Sequence, residues 1–255
     1  MIQAERLEAI QNLSDTNDIV TWEYLEDLLS VSRSTIRRDV NELENAGILR
    51  KTTGGFVFNP KTHRSEPSNR MRQVSNTEEK IKIAKAGLEY IENNSFIMLD
   101  SGSTVTELAR QIPNILNLYV VTYDFQHITY LEEKENITSY LAGGVVRKGF
   151  TACHGHFAEK MMSNFHANTC FLGADGVTPS FGISGFNSYD VHLKQIMIEQ
   201  SERVILLADH SKFGKDAFTF VASVKDIDVI ITDNKTPENQ VEALRDLGVK
   251  VVVVE

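Results

Sequence analysis

The sequence is poor in cysteine, the residue whose disulfide bonds stabilise small secreted proteins. Cys153 and Cys170 are the only cysteines among 255 residues, and they have no C-x-x-C spacing. Neither a disulfide framework nor a zinc finger is therefore indicated. The local cluster Cys153-His154-Gly155-His156 could in principle hold a soft metal, but loop histidines near a pocket are commoner. We predict no metal site.

Long hydrophobic runs and nucleotide signatures are also lacking. No apolar stretch approaches membrane-spanning length, and the first residues show no basic and apolar targeting pattern. We expect a cytoplasmic protein that does not contact a membrane. The patterns G-x-x-x-x-G-K-[ST] and G-x-G-x-x-G do not occur either. The usual sequence signatures of nucleoside triphosphate binding and of NAD binding are therefore missing. We predict no cofactor.

The charge of the chain is unevenly distributed. The formal net charge is −9, yet residues 33–72 contain nine Lys and Arg against four Asp and Glu. This block thus carries a local charge of +5 within an acidic protein. Such local asymmetry is typical of a nucleic-acid binder.

The N-terminal residues predict three short helices. The first has Leu7, Ile10 and Leu13 at helical spacing. Thr21 is placed to cap a second helix, and Ser32 to cap a third after a brief turn. The predicted inward face of the second helix consists of Trp22, Leu25, Leu28 and Leu29. A short helix, a tight turn and another helix form a helix-turn-helix.

The third helix carries the DNA-binding prediction. Ile36, Val40 and Leu43 fall on one face, and the side chains left on a separate face are Arg33, Ser34, Arg37 and Arg38. Exposed arginines on a helix are usually just solvated, but acidic neighbours are scarce here. The planar guanidinium suits both phosphate and the edge of guanine. We therefore expect this face to enter a major groove.

A β-hairpin is predicted after the third helix. Gly47 is placed to end the helix, and Ile48–Phe58 contains two short strands around Gly54 and Gly55. This arrangement is a wing. Its basic residues Arg50 and Lys51 are expected to contact phosphate beside the groove.

The run Val31–Arg50, with Gly54 and Gly55 beyond it, resembles the winged helix of the DeoR family of bacterial transcription regulators. Its most specific part is the sequence Ser32-Arg-Ser-Thr35-Ile-Arg-Arg-Asp39. The resemblance adds Ser32 and Thr35 to the expected DNA-contacting residues. Family members usually have Arg and His just before the paired glycines, whereas this chain has Thr52 and Thr53 there.

Three segments are predicted along the chain: a winged helix over residues 1–58, a linker over 59–74 and an α/β domain over 75–255. The linker is polar and has no periodicity. Ser75 and Glu78 have capping-box spacing, and they predict a helix. Its expected buried face consists of Ile81, Ala84, Leu88 and Ile91.

The C-terminal segment alternates apolar runs with helical patterns, which predicts a mostly parallel sheet covered on both faces, a Rossmann-like architecture. The predicted strands are Phe96–Leu99, Leu118–Val121, Tyr140–Ala142, Cys170–Leu172, Val204–Ala208, Val229–Ile231 and Val249–Val254.

The loop after the first of these strands is the central candidate site. Ser101, Ser103 and Thr104 offer hydroxyl groups, and Gly102 allows close approach. Free N–H groups at the start of the following helix favour an anion. The loop by itself is equally well explained as a phosphate cradle and as an ordinary helix cap.

Polar residues also follow the other strands. Because parallel strands end along one edge, these residues should converge with the loop on one ligand site. The expected set comprises Asp100, Thr122, Gly143, Gly144, Asp175, Gly176, Asp209 and Lys212, with Thr232 and Asp233 beside them. Polar, glycine-rich loops are common, so each member alone carries little weight.

The same features extend the resemblance to the sensor domain of the DeoR family, which is related in fold to ribose-5-phosphate isomerase and binds phosphorylated sugars. It implies that Ser101–Thr104 hold the phosphate and that Lys194 or Lys212 balances its charge, with Arg147 and Lys148 as a weaker option. The carboxylates of Asp100, Asp175 and Asp209 would accept sugar hydroxyls. Tyr123 stands where members commonly have Asn, and its larger phenol could narrow the pocket.

The expected function is therefore transcription regulation: a homodimer or higher oligomer that represses a sugar operon and responds to a phosphorylated sugar. The alternative is a sugar-phosphate isomerase with a DNA-binding appendage, in which Asp175 and Lys194 would be the acid/base residues. A purely architectural DNA binder would leave the converging strand ends without a purpose. We favour the regulator, with no catalytic residues, because fold alone does not imply catalysis.

Overall fold

The computed structural model describes residues 3–13, 19–45, 48–58, 66–67, 69–114 and 117–255. The chain divides into two compact units, Met1–Ser75 and Asn76–Glu255. Within the described ranges, none of the helices combines the length and apolar character that crossing a bilayer requires.

The N-terminal unit is a winged helix. Its helices are α1 (Gln3–Asn12), α2 (Trp22–Leu29), α3 (Arg33–Asn45) and α4 (Asn69–Val74), and its strands are β1 (Ile19–Thr21), β2 (Leu49–Thr52) and β3 (Gly55–Phe58). The strands form an antiparallel sheet in the order β1-β3-β2. The core between the helices and this sheet includes Ile10, Leu25, Ile36, Val40 and Phe56. The predicted helix-turn-helix and wing are confirmed.

The helix starts in this unit follow the predicted capping chemistry. The Thr21 hydroxyl accepts a hydrogen bond from the Tyr24 N–H at 3.3 Å, and Ser32 lies directly before α3. Between them, Ser30 has a left-handed backbone with φ of 50°. Leu28 was expected to face inward, but it is 45% exposed because Leu29 occupies that face. Gly47 lies outside the described residues.

The segment predicted to be an irregular linker contains a helix. Residues 69–74 form α4, and Met71 is buried in the core of the N-terminal unit. The remaining linker residues, apart from 66 and 67, lie outside the described ranges. Two apolar residues, Met71 and Val74, are too few to establish a periodicity among polar neighbours, so the sequence alone could not indicate this helix.

The predicted capping box is wrong. The Ser75 hydroxyl donates to the Met71 carbonyl at 2.8 Å, and the next helix, α5 (Thr77–Gly87), begins after Asn76 without a side-chain cap. The buried face of α5 is also shifted. Ile83 is fully buried, whereas Ile81 is 42% exposed.

The C-terminal unit has a parallel sheet of seven strands. They are β4 (Phe96–Leu99), β5 (Leu118–Thr122), β6 (Ile137–Leu141), β9 (Thr169–Leu172), β12 (Val204–Leu207), β14 (Val229–Asp233) and β15 (Lys250–Val254). The order is β15-β14-β12-β9-β4-β5-β6, and every pairing is parallel. Successive side chains alternate between faces: Met98 joins one apolar cluster and Leu99 the other. The predicted sheet covered on both faces is confirmed.

Smaller elements complete this unit. The helices are α6 (Ser103–Gln111), α7 (Phe125–Leu131), α8 (His156–Met162), α9 (Ser188–Glu199) and α10 (Glu238–Asp246). The pair β7 (Val145–Val146) and β8 (Cys153–His154) forms a hairpin, and β10 (Gly176–Thr178), β11 (Gly182–Gly185) and β13 (Thr219–Ala222) form a small antiparallel sheet. The sequence reasoning missed both, because two- to four-residue strands give almost no periodic signal.

The wing provides a stability prediction. A Cβ on Gly55 would overlap the Val20 carbonyl oxygen, whereas a Cβ on Gly54 would meet no atom within 4 Å. Gly55→Ala should lower the free energy of unfolding of the winged helix by about 1–3 kcal/mol or more through this overlap. Urea unfolding followed by the fluorescence of Trp22, the only tryptophan, measures it. Gly54→Ala is the matched control, and equal stability of the two variants would contradict the prediction.

Candidate functional site

The recognition helix α3 presents a basic surface. Arg33, Ser34, Arg37 and Arg38 are all exposed. Asp39, an acidic residue expected nearby, is instead fully buried and forms an ion pair with Arg6 of α1 at 2.6 Å. This pair joins α1 to α3 and removes one negative charge from the exposed face. The arrangement suits a helix that enters the major groove.

Some basic residues of this surface interact with other side chains of the winged helix. Arg33 lies 3.3 Å from Glu23 and 3.5 Å from Glu26, both on α2. These partners are ten and seven positions away in sequence, so the scarcity of acidic neighbours along α3 was misleading for Arg33. The Arg37 guanidinium lies over the Trp22 ring, 5.9 Å from its centroid.

The two basic residues of the wing also differ in whether an acidic residue balances their charge. The Lys51 ammonium lies 2.7 Å from the Glu44 carboxylate and donates to Asn41 Oδ1 at 2.6 Å. Its charge is therefore balanced by α3. Arg50 is exposed. Ser32 and Thr35, at the start of α3, have hydroxyl oxygens 3.0 Å apart.

In the C-terminal unit, the predicted polar residues do lie along the carboxyl edge of the sheet. Asp100 follows β4, Thr122 ends β5, Gly143 and Gly144 follow β6, Asp175 follows β9, and Asp209 follows β12. Their environments differ greatly. They range from fully buried, as Asp100 and Asp209 are, to exposed, as Gly143 is.

Asp100 is the most enclosed of these residues. It is fully buried, and its carboxylate accepts hydrogen bonds from Lys194 Nζ, the Tyr123 hydroxyl and the Gly173 N–H, the last at 2.7 Å. Burial raises the pKa of Asp100, while Lys194 and the hydrogen bonds favour its charged form. Both oxygens already have donors within the protein. This occupancy argues against the expected role of Asp100 as an acceptor of ligand hydroxyls.

Lys194 and Tyr123 belong to the same buried cluster. Lys194 points inward, and it also donates to the Gly173 carbonyl at 2.9 Å. Its charge is thus balanced by Asp100. Tyr123 is fully buried, so its phenol packs under the edge rather than lining an open pocket. Burial, followed by the charge of Asp100, raises its pKa.

The loop after Asp100 remains open to solvent in part. Ser101, Gly102 and Ser103 are half-buried, and α6 begins at Ser103. The Ser101 hydroxyl donates to Asp124 Oδ2 at 2.8 Å, and Asp124 in turn caps α7. This contact holds the loop against β5 and α7. Thr104 is buried, with 6% exposure.

Thr122 belongs to a buried group of hydrogen-bonded side chains. Its hydroxyl lies 2.9 Å from Nδ1 of His127, whose Nε2 lies 3.2 Å from the Thr106 hydroxyl. All three side chains are buried. Burial lowers the pKa of His127, although Asp124 opposes this shift. Thr122 therefore ties β5 to α6 and α7 through His127.

Asp209 differs from Asp100 in an important respect. It is also fully buried, and its Oδ1 accepts from Asn76 Nδ2 at 2.9 Å and from the Ser211 N–H at 3.0 Å. Its Oδ2 has no hydrogen-bond donor among the described residues. Burial alone would raise the pKa of Asp209, but the charges of Lys212 and Lys80 and the Ser211 contact outweigh it and lower the pKa to about 2.

A cleft of about 380 Å³ lies beside the carboxyl edge. Arg147, His154 and Tyr189 line it with their neighbours. His154 Nε2 is hydrogen-bonded to Asp190, which also lies 3.3 Å from Arg147. The His154 and Tyr123 rings are 5.9 Å apart, so the cleft adjoins the Asp100 cluster. Sequence reasoning noted Arg147 only as a weaker cation and did not identify the cleft.

The remaining predicted residues lie near these groups. Asp175 is half-buried and accepts from the Phe186 N–H at 3.1 Å, and Gly176 is buried at the start of β10. Gly143 is exposed. A Cβ on Gly144 would overlap the His154 carbonyl, so that glycine allows β8 to approach.

Comparison with known proteins agrees with this architecture. The model of the DeoR-like helix-turn-helix domain matches residues 6–62, and that of the DeoR C terminal sensor domain matches residues 75–234. A winged helix joined to this α/β domain defines a helix-turn-helix transcription regulator. The chain belongs to the DeoR family of these regulators.

The chain is similar to curated regulators over its full length. GolR of Listeria innocua is 32% identical, with 100% of both chains covered. The glycerol-3-phosphate regulon repressor of Escherichia coli is 32% identical over 96% of this chain and 97% of the relative. Among solved structures, ribose 5-phosphate isomerase A of Methanocaldococcus jannaschii covers 55% of each chain at 17% identity and a TM-score of 0.40. That likeness is too low to bear on function.

Asp209 provides a prediction about pH. Its folded pKa of about 2 lies below the unfolded value near 3.9, so its contribution of about 2 kcal/mol is present above pH ~4 and lost as pH falls towards 2. The stability difference between the wild type and Asp209→Asn should shrink by about this amount over that range. Urea unfolding followed by circular dichroism measures it. A difference that does not change with pH would contradict the assignment.

Proposed function

We propose that the protein is a cytoplasmic repressor of a sugar-utilisation operon and that a phosphorylated sugar, bound at the carboxyl edge of the sheet, modulates its affinity for operator DNA. One observation carries the proposal. The half-buried hydroxyl loop at the start of α6 shares this edge with Asp209, a buried carboxylate with two lysines nearby and an oxygen that accepts no hydrogen bond from the described residues.

The loop Ser101–Thr104 supplies the phosphate end of the site. The first N–H groups of α6 have no carbonyl partners within the helix, and the helix dipole adds partial positive charge. The Ser103 side chain is half-buried beside them, so its hydroxyl can donate to a phosphate oxygen. Backbone N–H groups and hydroxyls at a helix start form a suitable anion site.

Lys80 and Lys212 are better placed than Lys194 to balance the phosphate charge. Lys194 is bound to the buried Asp100 carboxylate. Lys80 lies in the first turn of α5, which packs against α6, and both helices begin at the carboxyl edge. Lys80 and Lys212 both act electrostatically on Asp209. We therefore assign the charge-balancing role to these two lysines.

The part of the site that binds the sugar requires hydrogen-bond acceptors and a cleft large enough for the sugar. Asp209 Oδ2 can accept a hydroxyl proton, and Asp175 is half-buried nearby on the same edge. The cleft of about 380 Å³ beside Arg147, His154 and Tyr189 is within the usual size range of small-ligand pockets. We propose that these groups, distributed along one edge of the sheet, accommodate a small polyhydroxylated anion.

In this proposal the winged helix binds the operator DNA. Exposed Arg37 and Arg38 on α3 and Arg50 on the wing supply the basic surface. Winged-helix regulators generally read two half-sites as dimers, so we propose at least a homodimer. Relatives named as repressors, including the glycerol-3-phosphate regulon repressor, support repression of a carbohydrate operon. We propose no catalysis, because Lys194, the residue required as an acid/base group, is bound to Asp100.

The decisive experiment is a ligand screen on the full chain. Thermal unfolding is measured with ribose 5-phosphate, fructose 6-phosphate, glycerol 3-phosphate, the unphosphorylated sugars and inorganic phosphate, since ligand binding raises the unfolding temperature. The ligands that stabilise the protein are then added to an operator-binding assay. A stabilising phosphorylated ligand should change operator affinity. If no sugar phosphate changes it, the proposal is wrong.

Ser103→Glu tests the phosphate cradle. The new carboxylate would occupy the anion position and repel a phosphate, so ligand affinity should fall at least about tenfold, or ~1.4 kcal/mol. Isothermal titration measures the change. Ser180→Glu adds the same charge at an exposed turn and should leave ligand affinity unaltered. An unaltered response in Ser103→Glu would move the phosphate site elsewhere.

Arg37→Ala and Arg38→Ala test the recognition face. Each should weaken operator binding by about 1–3 kcal/mol through the lost phosphate or guanine contact, without changing ligand affinity. Fluorescence anisotropy with labelled operator at several salt concentrations measures it. Lys82→Ala removes an exposed charge from α5 and serves as the control. A defect in ligand binding in either arginine variant would contradict the separation of the two functions.

A further inference from the structure

We propose that the hydrogen bond between Asn76 and Asp209 transmits the occupancy of the effector site to the DNA-binding unit, which makes Asn76 a positioning residue for the regulatory response. This inference rests on the proposed function, because it assigns a route by which a ligand at the carboxyl edge alters DNA binding. Asn76 Nδ2 donates to Asp209 Oδ1 at 2.9 Å, across 133 positions of sequence.

Asn76 stands at the start of the sensor unit. It is the first residue of the unit Asn76–Glu255 and directly precedes α5. Its backbone is left-handed, with φ of 51° and ψ of 39°. Its side chain makes no capping hydrogen bond to α5. The amide contact to Asp209 is therefore separate from the start of the helix.

A short described segment, Asn69 to Ser75, precedes Asn76. Met71 is 5% exposed and packs in the core of the N-terminal unit. Ser75 is tied to the Met71 carbonyl through both its N–H, at 3.0 Å, and its hydroxyl, at 2.8 Å. Only Arg72 to Ser75 separate the residue held in that core from the residue bonded to Asp209. Asn76 is thus joined through four residues to the buried Met71 of α4.

The Asp209 side can sense a ligand in two ways. Its Oδ2 is buried and accepts no hydrogen bond from the described residues, so a ligand hydroxyl can donate to it. Its negative charge interacts with Lys212 and Lys80, and a bound phosphate would draw both ammonium groups towards itself. Either event changes the strength with which Oδ1 holds the Asn76 amide.

The size of the expected effect matches one such bond. Allosteric coupling typically changes affinity by about 5- to 150-fold. A hydrogen bond to a charged group differs between its intact and broken states by an amount within that range. A ligand that binds the two states with different affinity shifts the equilibrium between them, and operator DNA must distinguish the same two states for the response to follow.

The test separates the amide from the backbone conformation. Asn76→Gly preserves the left-handed backbone without strain and removes only the side-chain donor. Asn94→Gly is the matched control: Asn94 is also left-handed, with φ of 60°, and its side chain accepts from Asn117 at 2.9 Å. Asn94 precedes β4 and so lies at the opposite edge of the sheet.

The experiment measures operator affinity with and without the sugar phosphate that stabilises the wild type most, drawn from ribose 5-phosphate, fructose 6-phosphate and glycerol 3-phosphate. Isothermal titration on the same full-length variants gives the ligand affinity. In Asn76→Gly, ligand should still bind and the ratio of operator affinities should fall to within about twofold of one. Asn94→Gly should keep the wild-type ratio, which is expected in the range of about 5- to 150-fold.

The outcomes distinguish this inference from the proposed function. If Asn76→Gly keeps the full ratio, the inference is overturned and the proposed function stands. If it abolishes ligand binding, Asn76 belongs to the ligand site and the inference is also overturned. A wild type without any response overturns the proposed function, and this inference with it. Asn76→Asp, which tolerates the left-handed backbone and repels Asp209, must give the same uncoupled behaviour should the glycine variant fail to fold.

Discussion

The buried ion pair between Asp100 and Lys194 is the interaction on which the sensor unit depends. It joins the end of β4 to α9, and the Gly173 contacts join the same pair to the end of β9. Two charges removed from water are stable only when their remaining hydrogen-bonding capacity is satisfied. Tyr123 and the Gly173 backbone meet that requirement here. The loop that begins at Ser101 therefore starts from a rigid point.

The contrast between Asp100 and Asp209 organises the carboxyl edge. Both are fully buried carboxylates that follow parallel strands. Asp100 receives donors on both oxygens, whereas Asp209 receives them on Oδ1 alone among the described residues. The first arrangement ties neighbouring strand ends together, and the second leaves the buried Oδ2 without a hydrogen-bond donor from the described residues. Chemically identical side chains at equivalent positions thus perform different tasks, because a buried carboxylate is defined by the donors around it.

The same distinction applies to the cations on both units. Arg33 and Lys51 interact with acidic residues of the winged helix, and Lys194 is held by Asp100. Arg37, Arg38 and Arg50 are exposed on the winged helix, while Lys80 and Lys212 act electrostatically on Asp209. The proposed function requires a nucleic acid and a small anionic ligand to bind to one chain and to influence each other. The short path from Met71 through Ser75 to Asn76 is the connection that we propose.

The sequence by itself determined the winged helix, the alternating α/β unit and the edge where polar residues meet, because apolar periodicity and capping residues act over a few positions. It also located the Asp100–Thr104 loop. Only the tertiary structure decided which of these residues already have a partner within the protein. Glu23 and Arg33, Asn76 and Asp209, and Asp100 and Lys194 are each distant in sequence, and no local pattern encodes such a pairing. Whether a charge is available to a ligand depends on the partner that folding brings beside it, and that partner is set by packing across the whole chain.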